Sequence, residues 1–265
     1  MSWLQALLLG ILQGLTEFLP VSSSGHLIIA EKLLGVGAAD NMMFAVVVHA
    51  ATVLSTITIL WREIVKLLAN TLKFKWNEET QYVCKILLSM VPVMIVGLFF
   101  KSSVEQLFGD GLPIVGICLI ITALLLILSS SFRFKEKKNI GFGTAFIVGI
   151  AQAIAVLPGL SRSGTTIATG LMLGVKKDQI AQFSFLMVLI PILGEAFLDL
   201  VGGNISEATS GISISALLCG FFAAYLVGLA ACKFMIELVK RANLKWFAVY
   251  CAVAGITVLI FSVIW

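Results

Sequence analysis

Charge is the scarcest thing in this chain. Only 12% of its residues are Asp, Glu, Lys or Arg, whereas 60% are hydrophobic, and the mean hydropathy is +1.07. A soluble domain carries roughly one quarter charged residues, so a water-soluble fold is excluded. Metal-binding cysteine patterns are missing too. Cys84, Cys118, Cys219, Cys232 and Cys251 are scattered through apolar runs with no CxxC pair, and read as small packing residues. The net charge of +4 makes no case for nucleic acid as a partner. The apolar N-terminus has no basic region before it and no small-residue cleavage site. It also carries Glu17, so it is not read as a signal peptide.

What the chain has in plenty is apolar runs. Residues 41–60, 83–100, 112–131, 180–201, 212–232 and 246–265 each approach the roughly 20 residues that a helix needs to cross a bilayer. The longest polar connection, 61–82, leaves no room for a soluble domain. The expectation is one all-α integral membrane domain over 1–265.

Two polar segments interrupt this apolar background, and they match. The first is Gln13-Gly-Leu-Thr-Glu17-Phe-Leu-Pro20-Val-Ser22-Ser23-Ser24-Gly25-His26. The second runs from Gln152 through Pro158-Gly159-Leu160-Ser161-Arg162-Ser163-Gly164-Thr165-Thr166. Adding 139 to a position in the first lands on its partner in the second without a gap. Gly10, Ile11, Gln13, Ser22, Ser24, Gly25, Ile28, Gly35 and Val36 meet identical residues. Such groups are costly in hydrocarbon, so two matched copies point to one site built from two halves.

The basic residues set the sidedness. If 1–36 and 142–175 each dip into the membrane and return, 15 of the 18 Lys and Arg fall on one face, and only Lys32 and Lys101 on the other. Arg162 stands apart, inside the second motif. If each segment crossed once, the split would be 9 against 8. The positive-inside rule selects the first arrangement. It predicts six transmembrane helices plus two re-entrant helix hairpins, with the basic face cytoplasmic and both termini outside. Repeat one is 1–131, with hairpin 1–36 and three spans. Repeat two is 142–265, with hairpin 142–175 and three spans. Three crossings separate the hairpins, an odd number, so the repeats are inverted as in many transporters. Non-helical backbone at membrane depth survives only when protein-buried or facing water, so a polar cavity is expected where the two turns meet.

The chemistry of these turns is that of phosphate recognition. Ser22, Ser23 or Ser24 can cap one half-helix, and Ser161 or Ser163 the other. A capped helix N-terminus with hydroxyls is an anion site. Gly25 and Gly164 let backbone approach a ligand closely. Arg162 is the one Lys or Arg at membrane depth, suited to a bidentate phosphate fork or to an ion pair with Glu17. His26, one turn beyond Ser22 and Ser23, can serve as general base, general acid or phosphoryl acceptor. Gln13 and Glu17, four apart, share a helix face. Glu17 can orient His26, hold Arg162 or help bind a divalent cation. In the second copy Val156 replaces it. His49, in an apolar setting, reads as a packing or hydrogen-bonding residue. Glu195 and Asp199 read as a polar stripe near the outer mouth.

Through these two motifs the chain resembles the undecaprenyl-diphosphate phosphatases, also called bacitracin-resistance proteins. That family has an (E/Q)xxxE motif, met here by Gln13 and Glu17, and a PGxSRSxxT motif, met from Pro158 to Thr166. The resemblance covers the whole chain. It implies a hydrolase of the bacterial inner membrane that converts undecaprenyl diphosphate to the monophosphate and phosphate, with its site toward the outer leaflet. By the resemblance, Ser23 is the nucleophile, His26 its acid/base partner and Glu17 the required carboxylate and metal ligand. Arg162 is the phosphate clamp. Ser22, Ser24, Gly25, Ser161, Ser163, Gly164, Thr165 and Thr166 surround the phosphates, and Gln13 supports Glu17. It also implies a divalent cation, Mg or Ca. Membrane lipid and a homodimer complete the expected partners. Whether Ser23, His26 or water attacks stays open.

Two rival readings fit the sequence less well. A polyprenyl-phosphate lipid transporter fits the inverted repeat, but binding alone would not need Ser23, His26 and Arg162 together. The other lipid-phosphatase superfamily uses KxxxxxxRP, PSGH and SRxxxxxH. No KxxxxxxRP precedes Ser24-Gly25-His26 and no histidine follows Arg162, so a mechanism with two histidines at those spacings is excluded.

Overall fold

Helices account for nearly all of the regular structure. The structure is a computed structural model and describes residues 1–36, 38–100, 111–131, 139–194, 212–241 and 244–264. In chain order the helices are α1 (Trp3–Thr16), α2 (Ser23–Leu34), α3 (Ala38–Ile59), α4 (Trp61–Thr71), α5 (Glu78–Phe99) and α6 (Leu112–Ser131). They continue with α7 (Phe142–Ile154), α8 (Arg162–Met172), α9 (Lys177–Met187), α10 (Ile214–Arg241) and α11 (Lys245–Ile264).

Length sorts these helices. Among the described residues, α5, α6, α10 and α11 are long and apolar enough to cross a membrane unaided, and α3 with α4 makes a fifth candidate bent by 76°. α1 and α7 are apolar but have only 14 and 13 residues. At 1.5 Å per residue they reach about 20 Å, short of the roughly 30 Å hydrocarbon core. Each is followed by a turn and a second short helix, α2 or α8. This is the half-helix, turn, half-helix order expected for 1–36 and 142–175.

Two expected boundaries change. The connection 61–82 is not merely polar, because it contains α4, whose residues Trp61, Val65 and Leu68 form one exposed apolar stripe with the cap residue Leu72. The run 180–201 does not make one continuous helix. α9 stops at Met187, Val188 is its cap, and helix resumes over 189–194. Pro191 has no N–H to give to the carbonyl of Met187, so the ladder opens there. Glu195 and Asp199 lie outside the described residues.

Small residues decide how the helices pack. In lipid, helices gain little from burying apolar surface against each other, and close backbone approach matters more. α1 packs on α10 with Gly10 against Gly220, and α7 packs on α5 with Gly149 against Ser89. α6 and α11 cross where Gly116 and Gly255 face each other; a Cβ on Gly255 would lie 2.8 Å from the Gly116 carbonyl oxygen. Outward-facing Trp3, Leu98, Phe99, Leu226 and Val263 are more than half exposed, a surface that fits lipid rather than water. The two short hairpins end up side by side within this shell, with α8 packed between α6, α7 and α9.

Candidate active site

The two turns are built alike. Ser22 caps α2 by accepting the Gly25 N–H (3.2 Å), and Ser161 caps α8 by accepting the Gly164 N–H (3.1 Å). Of the candidate capping serines, the structure therefore selects the equivalent pair. Ser22 holds φ at 70°, a left-handed conformation that a non-glycine residue adopts at some cost and that recurs at functional sites. Gly25 and Gly164 make room for the opposite hairpin. A Cβ on Gly25 would meet Gly159 Cα at 3.0 Å, and one on Gly164 would meet Pro20 Cβ at 3.2 Å.

Glu17 lies where the turns touch. It is the cap residue of α1, and its side chain is buried, with 6% exposure. Its Oε2 accepts hydrogen bonds from Gln13 Nε2 (2.8 Å) and Ser23 Oγ (2.6 Å). Its Oε1 pairs with the guanidinium of Arg162, the first residue of α8. One carboxylate thus binds the serine of one hairpin and the arginine of the other. The Arg162 charge neutralises it, which permits burial.

A small cleft of about 20 Å³ opens beside this pair. Glu17, Arg162 and Ser163 line it, together with Thr52 and Thr56 of α3 and Ser184 of α9. Ser163 Oγ donates to the Leu19 carbonyl (3.1 Å) and lies 3.4 Å from Ser161 Oγ, while Ser24 Oγ lies 3.4 Å from Ser22 Oγ. Thr166 is fully buried and bonds the Arg162 carbonyl (2.8 Å) and Ser184 Oγ (2.7 Å), fastening α8 to α9. Thr165 is buried and its hydroxyl lacks a partner.

The two histidines occupy unexpected surroundings. His26 Nδ1 lies 2.8 Å from the Ser22 carbonyl oxygen and its Nε2 lies 2.6 Å from the hydroxyl of Tyr250 on α11. The hydroxyl of Ser23 goes to Glu17 rather than to His26. His49, read as packing or hydrogen-bonding, places its Nε2 3.6 Å from Glu17 Oε2. Its membership was legible: His49, Thr52 and Thr56 fall at i, i+3 and i+7, one polar stripe on α3. Nothing local in the sequence marks Tyr250 or Ser184.

Gln13 and Gln152 show how the halves differ. Both are buried, and both keep an amide oxygen without a partner. Gln13 still has Glu17 one turn on to receive its amide N–H. Gln152 has Val156 there, and both ends of its amide are unpartnered.

Comparison with known proteins gives the chain its family. The family described as bacitracin resistance protein BacA matches residues 6–257. The chain is 54% identical over 261 residues to a protein of Bacteroides thetaiotaomicron named undecaprenyl-diphosphatase, covering 98% of this chain and 99% of that one. A protein of the same name from Parabacteroides distasonis is 54% identical over 257 residues, 97% of each chain. Another from Christiangramia forsetii is 49% identical over 259 residues, again 97% of each. With a match along nearly its whole length, and with both polar motifs meeting at one buried carboxylate, the chain belongs to the bacitracin resistance protein BacA family.

Proposed function

We propose that this chain hydrolyses undecaprenyl diphosphate to undecaprenyl phosphate and inorganic phosphate. The reaction recycles the lipid carrier of peptidoglycan synthesis and confers bacitracin resistance. The observation that carries this reading is the placement of Ser23 and Arg162, from separate hairpins, on the two oxygens of Glu17. That joins a nucleophile, a base and a phosphate clamp in one place. The full-length relatives named undecaprenyl-diphosphatase supply the substrate.

In this mechanism Ser23 Oγ attacks the terminal phosphorus in line, and Glu17 Oε2, 2.6 Å away, accepts its proton. The bond from that phosphorus to the bridging oxygen breaks, and undecaprenyl phosphate leaves. Water then hydrolyses the serine phosphate and releases inorganic phosphate. Arg162 turns from Glu17 to the diphosphate oxygens, joined by Ser22, Ser24, Ser161, Ser163 and the backbone N–H groups of α2 and α8. His26, once protonated at Nε2, serves the leaving group as acid. A divalent cation, Mg or Ca, would be held by Glu17, with the Gln13 amide oxygen, a buried oxygen without a hydrogen-bond partner, as a further candidate ligand. Among the described residues no three His, Cys, Asp or Glu gather to hold an ion alone, so substrate oxygens would share it. When bound, such an ion supplies neutralising charge for the transferring phosphoryl group.

The architecture proposed with this function has six crossings and two re-entrant hairpins in an inverted repeat, 1–131 and 142–265. Gly116 and Gly255, which face each other, are 139 apart, as repeat mates on a pseudo-two-fold axis should be. The packing of α1 on α10 and of α7 on α5 is the same exchange made twice. The site then faces the outer leaflet of the inner membrane, with the basic face cytoplasmic and both termini outside. Lipid surrounds the chain. A homodimer is a further proposed partner, which sedimentation in detergent decides.

The experiment is phosphate release from undecaprenyl diphosphate by wild type, Ser23→Ala, Glu17→Gln and Arg162→Ala. Each variant is expected to lose on the order of 10²–10³ in kcat. An acid-stable phosphoenzyme label identifies Ser23, an acid-labile one shifts the role to His26, and no label favours water. Full activity in all three variants would sink the site. A wild type that releases no phosphate would leave the transporter reading.

A further inference from the structure

Two hydrogen-bonding groups on opposite sides of one imidazole restrict what His26 can be. Its Nδ1 lies 2.8 Å from the carbonyl oxygen of Ser22. A carbonyl only accepts, so Nδ1 carries a hydrogen and donates it. In the neutral ring Nε2 is then the lone-pair nitrogen, and it receives the O–H of Tyr250 at 2.6 Å. The two rings are also nearly parallel, 13° apart in tilt with centroids separated by 5.6 Å. Tyr250 stands 224 residues away on the last helix, so the contact is purely tertiary.

We infer that Tyr250 is a positioning residue for His26: in the resting site its phenol holds the imidazole in one tautomer and one orientation, with Nδ1 protonated and Nε2 kept for the proton it exchanges once the phenol releases it. This rests on the reading of His26 as the acid/base group of the phosphatase site. A phenol suits the task because it can donate to Nε2 when the ring is neutral and accept from Nε2–H when the ring is charged. Nε2 has one in-plane site, however, so the phenol has to release it before the ring exchanges a proton with substrate. Ser22 fixes the other nitrogen from within the strained turn, so the ring is gripped from both sides. A phenylalanine would keep the ring contact and lose only the hydroxyl.

The test uses the full-length protein labelled with ¹⁵N-histidine and compares wild type, Tyr250→Phe, His26→Ala and the double variant. The chain has only two histidines, so loss of signals in His26→Ala assigns the rest. Wild type is expected to show a single Nδ1–H tautomer with a hydrogen-bonded Nε2. Tyr250→Phe is expected to shift the Nε2 signal toward an unbonded nitrogen. It should also lower kcat about tenfold, with KM within about twofold. The double variant should be no slower than His26→Ala alone, because Tyr250 acts through His26. An unchanged Nε2 signal in Tyr250→Phe overturns the inference, as does a double variant well below His26→Ala. If His26→Ala turns over like wild type, the acid/base reading of His26 fails instead. The Nε2 signal then still reports whether Tyr250 holds the ring.

Discussion

Glu17 is shared among side chains from four helices: Gln13 of α1, Ser23 of α2, His49 of α3 and Arg162 of α8. Removing its cation therefore has a structural consequence as well as a chemical one. Arg162→Ala leaves a carboxylate buried without a counter-charge, and breaking a buried pair costs about 3–5 kcal/mol. Arg162→Lys restores the charge but not the two-pronged fork, so it should recover stability further than it recovers kcat. Thermal unfolding in detergent beside phosphate release separates the two. Thr166 belongs to the same scale. Its hydroxyl bonds Ser184 inside the protein, and Thr166→Val should cost about 1–3 kcal/mol by stranding a buried hydroxyl. A loss of KM or kcat far beyond the loss of stability would instead support the phosphate role that the resemblance assigns to it.

Among the elements, the half-helices and their crossings carry the architecture. Gly149 lies against the backbone of Ser89, where no side chain can yield, so Gly149→Val should destabilise by about 1–3 kcal/mol or prevent folding. Gly97, within α5, has open space where a Cβ would go. Gly97→Ala should be neutral or stabilise by about 0.5–1 kcal/mol, because alanine loses less backbone entropy in a helix. The melting temperatures of the two purified variants check the contrast. Much at this scale was readable beforehand. That a serine caps each second half-helix, that 112–131 forms one long apolar helix and that 1–36 is too short for two full spans all follow from local composition and spacing. The break at Val188 was less visible, because a single Pro191 inside an apolar run signals either a kink or a stop, and neighbouring helices decide which.

At the scale of the whole molecule, sidedness and cation dependence are the measurable quantities. Single cysteines at Lys75 and Lys176, in a background lacking the five native ones, should label only from the cytoplasmic side, and one at Lys32 only from outside. Labelling of Lys75→Cys and Lys176→Cys from opposite sides would break the inverted repeat. Chelation of divalent cations should abolish phosphate release, and Mg or Ca should restore it without refolding. Failure to lose activity on chelation would remove the cation from the mechanism.

By itself the sequence determined that the chain is a membrane protein, that two matched polar turns sit within it, and that Glu17, Ser23, His26 and Arg162 are its chemically able residues. Those follow from composition, periodicity and the cost of polar groups in hydrocarbon, all of which act locally. Only the tertiary structure decided the pairings. It set Ser23 on Glu17 instead of on His26, gave His26 to Tyr250, brought His49 into the site and turned Thr166 toward Ser184. Each of these except the first joins residues from helices that only packing brings together. The hydroxyl of Ser23 had a histidine and a carboxylate within reach along its own hairpin, and how the turn folds against its partner selected the carboxylate.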